Sequence, residues 1–269
     1  MEVEAAAPGG EASVTTVAAP SRLLPARYRL SIVCFFAAFF GYAQRYGLAL
    51  AIVRMQVDLD WDRSTQGRVL AAFFLGYMVA QLPAGYAAAR VGPRKSIFVG
   101  LCCSSLLNLL LPAAATCSPW VVAALRVLQG LAQGILFPGF AALWASWAPP
   151  MERSRLDGIP RAGGFCGAMA CNAIGGLQCD SSLSPWLFGG WGGVFSLWGV
   201  AGLGFAALWW GLVADTPSEA CASTRPSCSQ VELRYIQEAL SEQLIEPSMA
   251  ATPPCTIYLT ICRRWACGL

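Results

Sequence analysis

Long apolar runs separated by short polar segments dominate this chain. A helix of about 20 apolar residues spans a bilayer core about 30 Å thick. The pattern therefore predicts an all-α membrane protein with six transmembrane helices. The fifth run is rich in glycine, which suits close packing against a neighbouring helix. The six runs are Arg29–Val53, Gly67–Ala89, Ser96–Ala115, Trp120–Ala145, Ala162–Leu183 and Trp191–Ala214.

The segments outside the six-helix bundle (residues 29–214) differ in composition. Residues 1–28 are rich in Ala, Pro and Gly and carry three glutamates, which is typical of an uncleaved disordered tail rather than of a targeting peptide. Residues 215–254 are polar and include a helix-like stretch, so we expect a soluble loop. Residues 255–269 carry two adjacent arginines in a short, atypical apolar stretch, so we expect no seventh span there.

The distribution of basic residues predicts the orientation. Nine lysines and arginines lie on the side of the N-terminus, and two or three lie on the other side. Cytoplasmic loops carry an excess of Lys and Arg. We therefore expect the N-terminus and the 215–254 loop in the cytoplasm, which agrees with an even number of spans.

Composition supports the membrane assignment and excludes several function classes. The chain is 56% hydrophobic and only 12% charged, against about 25% charged in soluble domains. It has no histidine, which removes Ser-His-Asp catalysis and His-ligated metal sites. Its 12 cysteines form no CxxC pair, and its net charge of +3 does not suit nucleic acid. We expect no enzyme activity, metal or cofactor.

Two arginines lie deep within the predicted spans, Arg45 in the first and Arg126 in the fourth, with no deep acid to pair with either. A charge near the bilayer centre costs at least about 2.5–3.5 kcal/mol. Their partners must then be backbone carbonyls, water or a bound anion. Both lie about 9–12 Å from the same membrane face at 1.5 Å per residue. Two guanidiniums at similar depth suit a carboxylate or phosphate.

The fourth span carries further candidates after Arg126. Gln133 lies almost two helical turns later on the same face. The GxxxG stretch Gly130–Gly134 permits a close neighbouring helix, with packing as its simplest role. The pair Pro138–Gly139 predicts a kink.

A tight basic turn joins the second and third spans. Gly85, Arg90, Arg94 and Lys95 lie in or beside it. The turn is either a determinant of topology or a hinge or gate, and the sequence leaves both open.

The most specific motif is Arg126-VLQG followed by WASWAPPMERSRL at residues 144–156. In these residues the chain resembles the anion:cation symporter branch of the major facilitator superfamily, which includes sialin, vesicular glutamate transporters and type I sodium-phosphate cotransporters. The resemblance covers about residues 30–240. It implies the N-terminal six-helix bundle of that fold, built as two inverted three-helix repeats.

The resemblance also implies roles for individual residues. Arg45 and Arg126 would line a central anion cavity, and Glu152, Arg153 and Arg155 would belong to the cytoplasmic motif between the fourth and fifth helices. With the candidates from the residue pattern, we expect substrate-binding residues Arg45, Arg126, Gln133, Gln44 and Tyr77, and gating or structural residues Gly85, Arg90, Arg94, Lys95, Glu152, Arg153 and Arg155.

Several residues depart from the family pattern. Gln133 stands where proton-coupled members have glutamate, and Leu70 replaces the histidine of the glutamate transporters. Gly47 and Arg54 replace an asparagine and an aspartate. Because an amide does not exchange protons at physiological pH, the pattern favours uniport driven by membrane potential, or sodium-linked phosphate entry, over proton coupling.

A family member would have twelve helices, which is twice the number expected here. A truncated sequence, a half-size protein that forms a homodimer, or a non-transporting partner would each explain the difference. We expect a symporter or uniporter for inorganic phosphate or organic anions that works by alternating access in a lipid membrane, with sodium or a proton as candidate coupling ion. The alternative is a membrane scaffold that associates with other transporter chains and moves nothing itself.

Overall fold

The structure is a computed structural model that describes residues 24–180, 190–222 and 228–245, and these ranges contain helices but no strands. The predicted tail up to residue 23 and the end at 255–269 lie outside the described residues. The helices are α1 (Ala26–Leu59), α2 (Arg63–Val91), α3 (Pro93–Cys117), α4 (Pro119–Gln133), α5 (Leu136–Trp147), α6 (Arg153–Asp180), α7 (Gly190–Leu212), α8 (Pro217–Ala222) and α9 (Gln230–Ile245).

Six long helical segments correspond to the six predicted spans, with α4 and α5 together forming the fourth. By length and composition, α1, α3, the α4–α5 unit and α7 can each cross a membrane. The α2 helix, which bends at Pro83, is a fifth candidate. The α6 helix is less apolar because its first turns carry Arg153, Arg155, Asp157 and Arg161. The described residues thus contain four or five candidate spans, against six expected.

The fourth span is broken earlier than the sequence suggests. We expected the kink at Pro138–Gly139, but the helix is interrupted over Gly134 and Ile135. Proline has no backbone N–H and therefore cannot donate to the carbonyl four residues before it. Pro138 leaves the carbonyl of Gly134 without this bond, which places the break one turn before the proline.

The helix packing has the symmetry of two three-helix repeats. The α1 helix packs mainly on α6, and α2 packs mainly on α4. Exchanging the first three spans with the last three interchanges these two pairs. The same exchange interchanges the pairing of α3 with α4 and that of α1 with α7, and it returns the pairing of α3 with α7 to itself.

Glycines allow the closest helix contacts, as the sequence of the fifth span suggests. A Cβ at Gly163 or Gly167 on α6 would overlap the carbonyl oxygens of Phe35 and Phe39 on α1. Side chains larger than hydrogen would therefore force α1 and α6 apart. Gly163 and Gly167 therefore act in packing.

The polar segment after α7 folds back onto one end of the bundle. Glu232 of α9 accepts hydrogen bonds from the backbone N–H groups of Ala26 (2.9 Å) and Arg27 (3.2 Å) at the start of α1. Arg27 forms salt bridges with Glu152 (2.8 Å) and Glu232 (3.3 Å). Tyr235 donates a hydrogen bond to Glu152 (3.3 Å). The segment that we expected as a loop thus contains two helices. The carboxylate of Glu232 holds α9 against the start of α1.

Candidate functional site

Arg126 of α4 is buried, with 2% of its surface exposed. Its Nη1 donates to the side chain of Gln129 (2.8 Å), and its Nη2 donates to the backbone carbonyl of Arg45 (2.9 Å). Its Nε has no hydrogen-bond partner among the described residues. One of the partner types that sequence reasoning left open, a backbone carbonyl, is therefore present.

Arg45 of α1 is half-buried, and its guanidinium lies among four aromatic rings. Its Cζ lies 4.6 Å from the ring centroid of Phe74, 5.0 Å from Phe73, 5.4 Å from Tyr77 and 5.5 Å from Tyr42. We call these four rings the aromatic box. A cation over an aromatic face gains about 0.5–2 kcal/mol. The box therefore offsets part of the hydration that the guanidinium loses.

Phe73 contacts both arginines. The Cζ of Arg126 lies 5.1 Å from the Phe73 ring centroid, and the Cζ of Arg45 lies 5.0 Å from it. The two guanidinium carbons therefore cannot be further apart than about twice this distance. No acid among the described residues forms a salt bridge with either arginine. A pair of cations in a region of low dielectric favours an anion.

Gln133 and Gln44 lie in a second polar cluster. Gln133 donates from Nε2 to the Ser104 hydroxyl (2.7 Å), which in turn donates to Oε1 of Gln44 (2.6 Å). Gln44 donates to the Ser105 hydroxyl (2.8 Å) and to the backbone carbonyl of Trp198 (3.1 Å). Both glutamines are buried. The structure thus groups Arg45 with Arg126 and Tyr77, and it groups Gln44 with Gln133 through α3.

Some of the polar residues around the arginines were missed by sequence reasoning. Gln129 donates to Asn108 of α3 (3.3 Å), and Asn108 donates to the backbone carbonyl of Phe195 (2.8 Å). The position of Gln129, three residues after Arg126, placed it on the same helix face. Ser104 and Asn108 are four residues apart on one face of a mainly apolar span, and this spacing was a usable signal.

The basic turn between α2 and α3 is bound to the end of α7. The backbone N–H of Arg94 donates to the Asp215 carboxylate (2.7 Å), which caps the positive end of α3. The guanidinium of Arg94 donates to the backbone carbonyl of Trp210, and its Cζ lies 4.2 Å from a Trp210 ring centroid. Gly92 has φ of +99°, and a Cβ there would lie 2.9 Å from Asp215. Arg94 therefore has a structural contact in this conformation.

The other residues of this turn lie nearer the surface. Lys95 and Arg90 are exposed, and Arg90 lies 5.1 Å from the ring centroid of Tyr86. Gly85 faces Pro138 at ordinary van der Waals distance. Their role, either as determinants of topology or as a hinge or gate, stays a prediction.

The motif between α5 and α6 lies at the same end of the bundle as the start of α1. Glu152 binds Arg27 and Tyr235, Arg153 donates to the backbone carbonyl of Trp144 (3.4 Å), and Arg155 is exposed. Burial acts to raise the pKa of Glu152, but the hydrogen bond and charge of Arg27 outweigh it and lower the pKa. Glu152 is therefore held as a carboxylate.

Comparison with known proteins decides the family. The sequence model of the Major Facilitator Superfamily matches residues 34–263. This chain belongs to the major facilitator superfamily. Sialin of Homo sapiens is 33% identical over 250 residues, and vesicular glutamate transporter 2 of Homo sapiens is 30% identical over 234 residues; each alignment covers 81% of this chain. The predicted branch of the superfamily is thereby confirmed.

An uncharacterized transporter of Caenorhabditis elegans is 31% identical over 91% of this chain. The chain spans about half the length of the relatives it matches, with 54% of the Caenorhabditis elegans protein, 48% of sialin and 38% of the glutamate transporter covered.

Solved structures share the fold. The inward-open xylose transporter of E. coli superimposes with a TM-score of 0.62 at 15% identity, covering 83% of this chain and 58% of that one. A bacterial homolog of the human lysosomal transporter Spinster gives a TM-score of 0.57 at 20% identity, covering 72% of this chain and 44% of that one. The chain is thus the N-terminal helical half of a facilitator fold in a multi-pass membrane protein. A cytoplasmic N-terminus stays a prediction.

Proposed function

We propose that this chain supplies the anion-binding half of a membrane transporter. The observation that carries the proposal is the pair of guanidiniums, Arg45 and Arg126, that share the Phe73 ring and have no salt bridge to an acid among the described residues. A bound anion would supply the missing negative charge. Arginine suits this role because its planar fork matches the two oxygens of a carboxylate or phosphate.

The two arginines differ in exposure, which assigns them different roles. Arg126 is buried, and two of its nitrogens already donate hydrogen bonds within the bundle. Arg45 is half-buried, with aromatic faces around it. We assign direct contact with the anion to Arg45. Arg126 adds positive potential and holds the α1 backbone through its bond to the Arg45 carbonyl.

A small organic carboxylate is the substrate class that we favour over phosphate. Sialin and the vesicular glutamate transporters are among the relatives, and the latter are named for a dicarboxylic amino acid. The aromatic box, which includes Tyr42 and Tyr77, offers apolar faces as well as hydroxyls to the carbon skeleton of such a substrate. Phosphate offers no apolar surface to these rings.

Transport by alternating access requires a second helical bundle that moves against this one. The relatives are about twice as long as the aligned region. We therefore propose that the site is completed by a second bundle, either from a longer chain or from a second copy. Because Gln133 is a neutral amide bonded to Ser104, we propose that membrane potential or sodium, rather than a carboxylate-bound proton, drives uptake.

The test is anion binding to the purified protein in lipid nanodiscs, with radiolabelled glutamate and radiolabelled phosphate as probes. We expect Arg45→Gln to abolish saturable binding of at least one probe. Arg54→Gln is the matched control, because it removes an exposed arginine from the same helix and should leave binding intact. Binding of both probes that survives Arg45→Gln would remove the proposal. Failure of the wild-type protein to bind either probe would favour the scaffold alternative.

A further inference from the structure

We infer that Phe73 is a positioning residue of the anion site: its ring lies against both guanidiniums and holds Arg45 and Arg126 together before an anion arrives. The inference rests on the proposed anion site and adds a residue that neither the sequence pattern nor the resemblance assigned.

The Phe73 ring is fixed from several sides. The side chain is almost fully buried, with 1% exposed. Its ring stacks on Tyr77 with centroids 5.9 Å apart and planes inclined by 20°, and it meets Phe74 edge to face at 5.7 Å. A ring held in this way presents its surface to both arginines at a constant position.

The two guanidiniums carry like charges, and like charges repel each other strongly in a medium of low dielectric. The hydrogen bond from Arg126 to the Arg45 carbonyl nevertheless ties the two residues together. The faces of an aromatic ring carry negative potential and attract cations. Phe73 attracts both guanidiniums and so opposes their separation in the absence of a ligand.

The position of Phe73 depends on a glycine of the GxxxG stretch. A Cβ at Gly130 would overlap the carbonyl oxygen of Phe73, so the missing side chain lets α2 touch α4 at this point. Gly130 lies one turn after Arg126 on α4. On the other helix, Gly76 lies three residues after Phe73, and a Cβ there would overlap the Val127 carbonyl. The paired glycines therefore set the ring at the height of the Arg126 guanidinium.

The experiment measures the affinity of the protein in nanodiscs for the glutamate and phosphate probes. It compares wild type with the variants Phe73→Leu, Phe73→Tyr and Phe74→Leu. We expect Phe73→Leu to weaken binding by about 5- to 30-fold, the ratio that corresponds to one or two kcal/mol of cation–π attraction. Phe73→Tyr keeps the aromatic face and should restore most of the affinity. Phe74 contacts Arg45 but not Arg126, so Phe74→Leu should have the smaller effect.

A double-mutant cycle separates positioning from general packing. In the Arg126→Gln background no second cation remains to be held, so the effect of Phe73→Leu should shrink to that of Phe74→Leu. An undiminished effect in that background, or unchanged affinity in Phe73→Leu, would overturn the inference. If the Leu variant does not fold, Phe73→Met replaces it with closer volume. If Arg45→Gln leaves binding unchanged, the proposed anion site itself fails, which is a distinct result.

Discussion

The Nη2 of Arg126 donates a hydrogen bond to the backbone carbonyl of Arg45 at 2.9 Å, which joins α4 to α1 within the bundle. The bond is directed from one arginine to the backbone of the other. It leaves both positive charges without a salt bridge to an acid among the described residues. The first and fourth spans are equivalent members of the two repeats, so this bond joins the two repeats.

Replacing Arg126 with lysine should weaken the protein even though the charge is kept. The guanidinium donates to Gln129 and to the Arg45 carbonyl at once, whereas an ammonium on a shorter stem lacks the planar fork. Because hydrogen bonds to charged groups contribute about 1.5–3 kcal/mol each, the loss of one bond should lower stability by that amount. Thermal unfolding in detergent measures this loss. Arg234→Lys, at an exposed position of α9, should leave the melting temperature unchanged.

Two glycines of α6 should respond in opposite directions to alanine. At Gly163 a Cβ would overlap the Phe35 backbone, so Gly163→Ala should destabilise the bundle by about 1–3 kcal/mol through overpacking. At Gly176 nothing lies within 4 Å of the added atom. Gly176→Ala should then be neutral or stabilising by up to about 1 kcal/mol, because alanine is the better helix former. Equal melting temperatures for the two variants would contradict the close packing of α1 and α6.

The arginine pair was predictable from sequence, but the direction of neighbouring side chains was not. Hydropathy identifies a charge in an apolar span whatever its partners. Gln44 is adjacent to Arg45 in sequence, yet successive side chains on a helix point about 100° apart, and Gln44 faces Ser105 and Trp198. Phe73 looked like any apolar residue of a span. Its role depends on the rotation of α2 against α4, which periodicity alone does not determine.

The docking of α9 should weaken in acid. The pKa of Glu152 is lowered from its ordinary value of 4.5, because Arg27 outweighs the effect of burial. A carboxylate with a lowered folded pKa stabilises the folded state above its ordinary pKa, and this stability is lost as the pH falls through the lowered value. Unfolding monitored between about pH 6 and pH 3, an interval that brackets the ordinary carboxylate pKa values, should show this loss.

The variant that tests the acid response is Glu152→Gln. It should be less stable than wild type near neutral pH and should lose less stability on acidification. Asp157→Asn removes a carboxylate whose partner Arg161 is exposed and should retain the wild-type response. An unaltered acid profile in Glu152→Gln would show that the salt bridge to Arg27 does not contribute.

Asp215 should matter for the basic turn through its cap. It accepts a hydrogen bond from the Arg94 backbone at the start of α3, and loss of such a cap costs about 0.5–2 kcal/mol. Asp215→Ala should lower the melting temperature and speed proteolysis at the α2–α3 turn. Asp215→Asn keeps an acceptor oxygen and should lie between the two. Glu238→Gln, a change at an exposed position of α9, serves as the control.

Gln133→Glu should make anion binding depend on pH. The wild-type amide donates to the Ser104 hydroxyl, which is then free to donate to Gln44. An ionised carboxylate cannot donate, so Ser104 would have to turn towards it and release Gln44. The negative charge would also reduce the positive potential of the arginine pair. Protonation reverses both changes, so the affinity of the variant should rise as the pH falls, whereas wild-type affinity for a permanently charged sulfonate probe should stay level. Parallel pH profiles for the two proteins would show that this side chain is not coupled to the anion site.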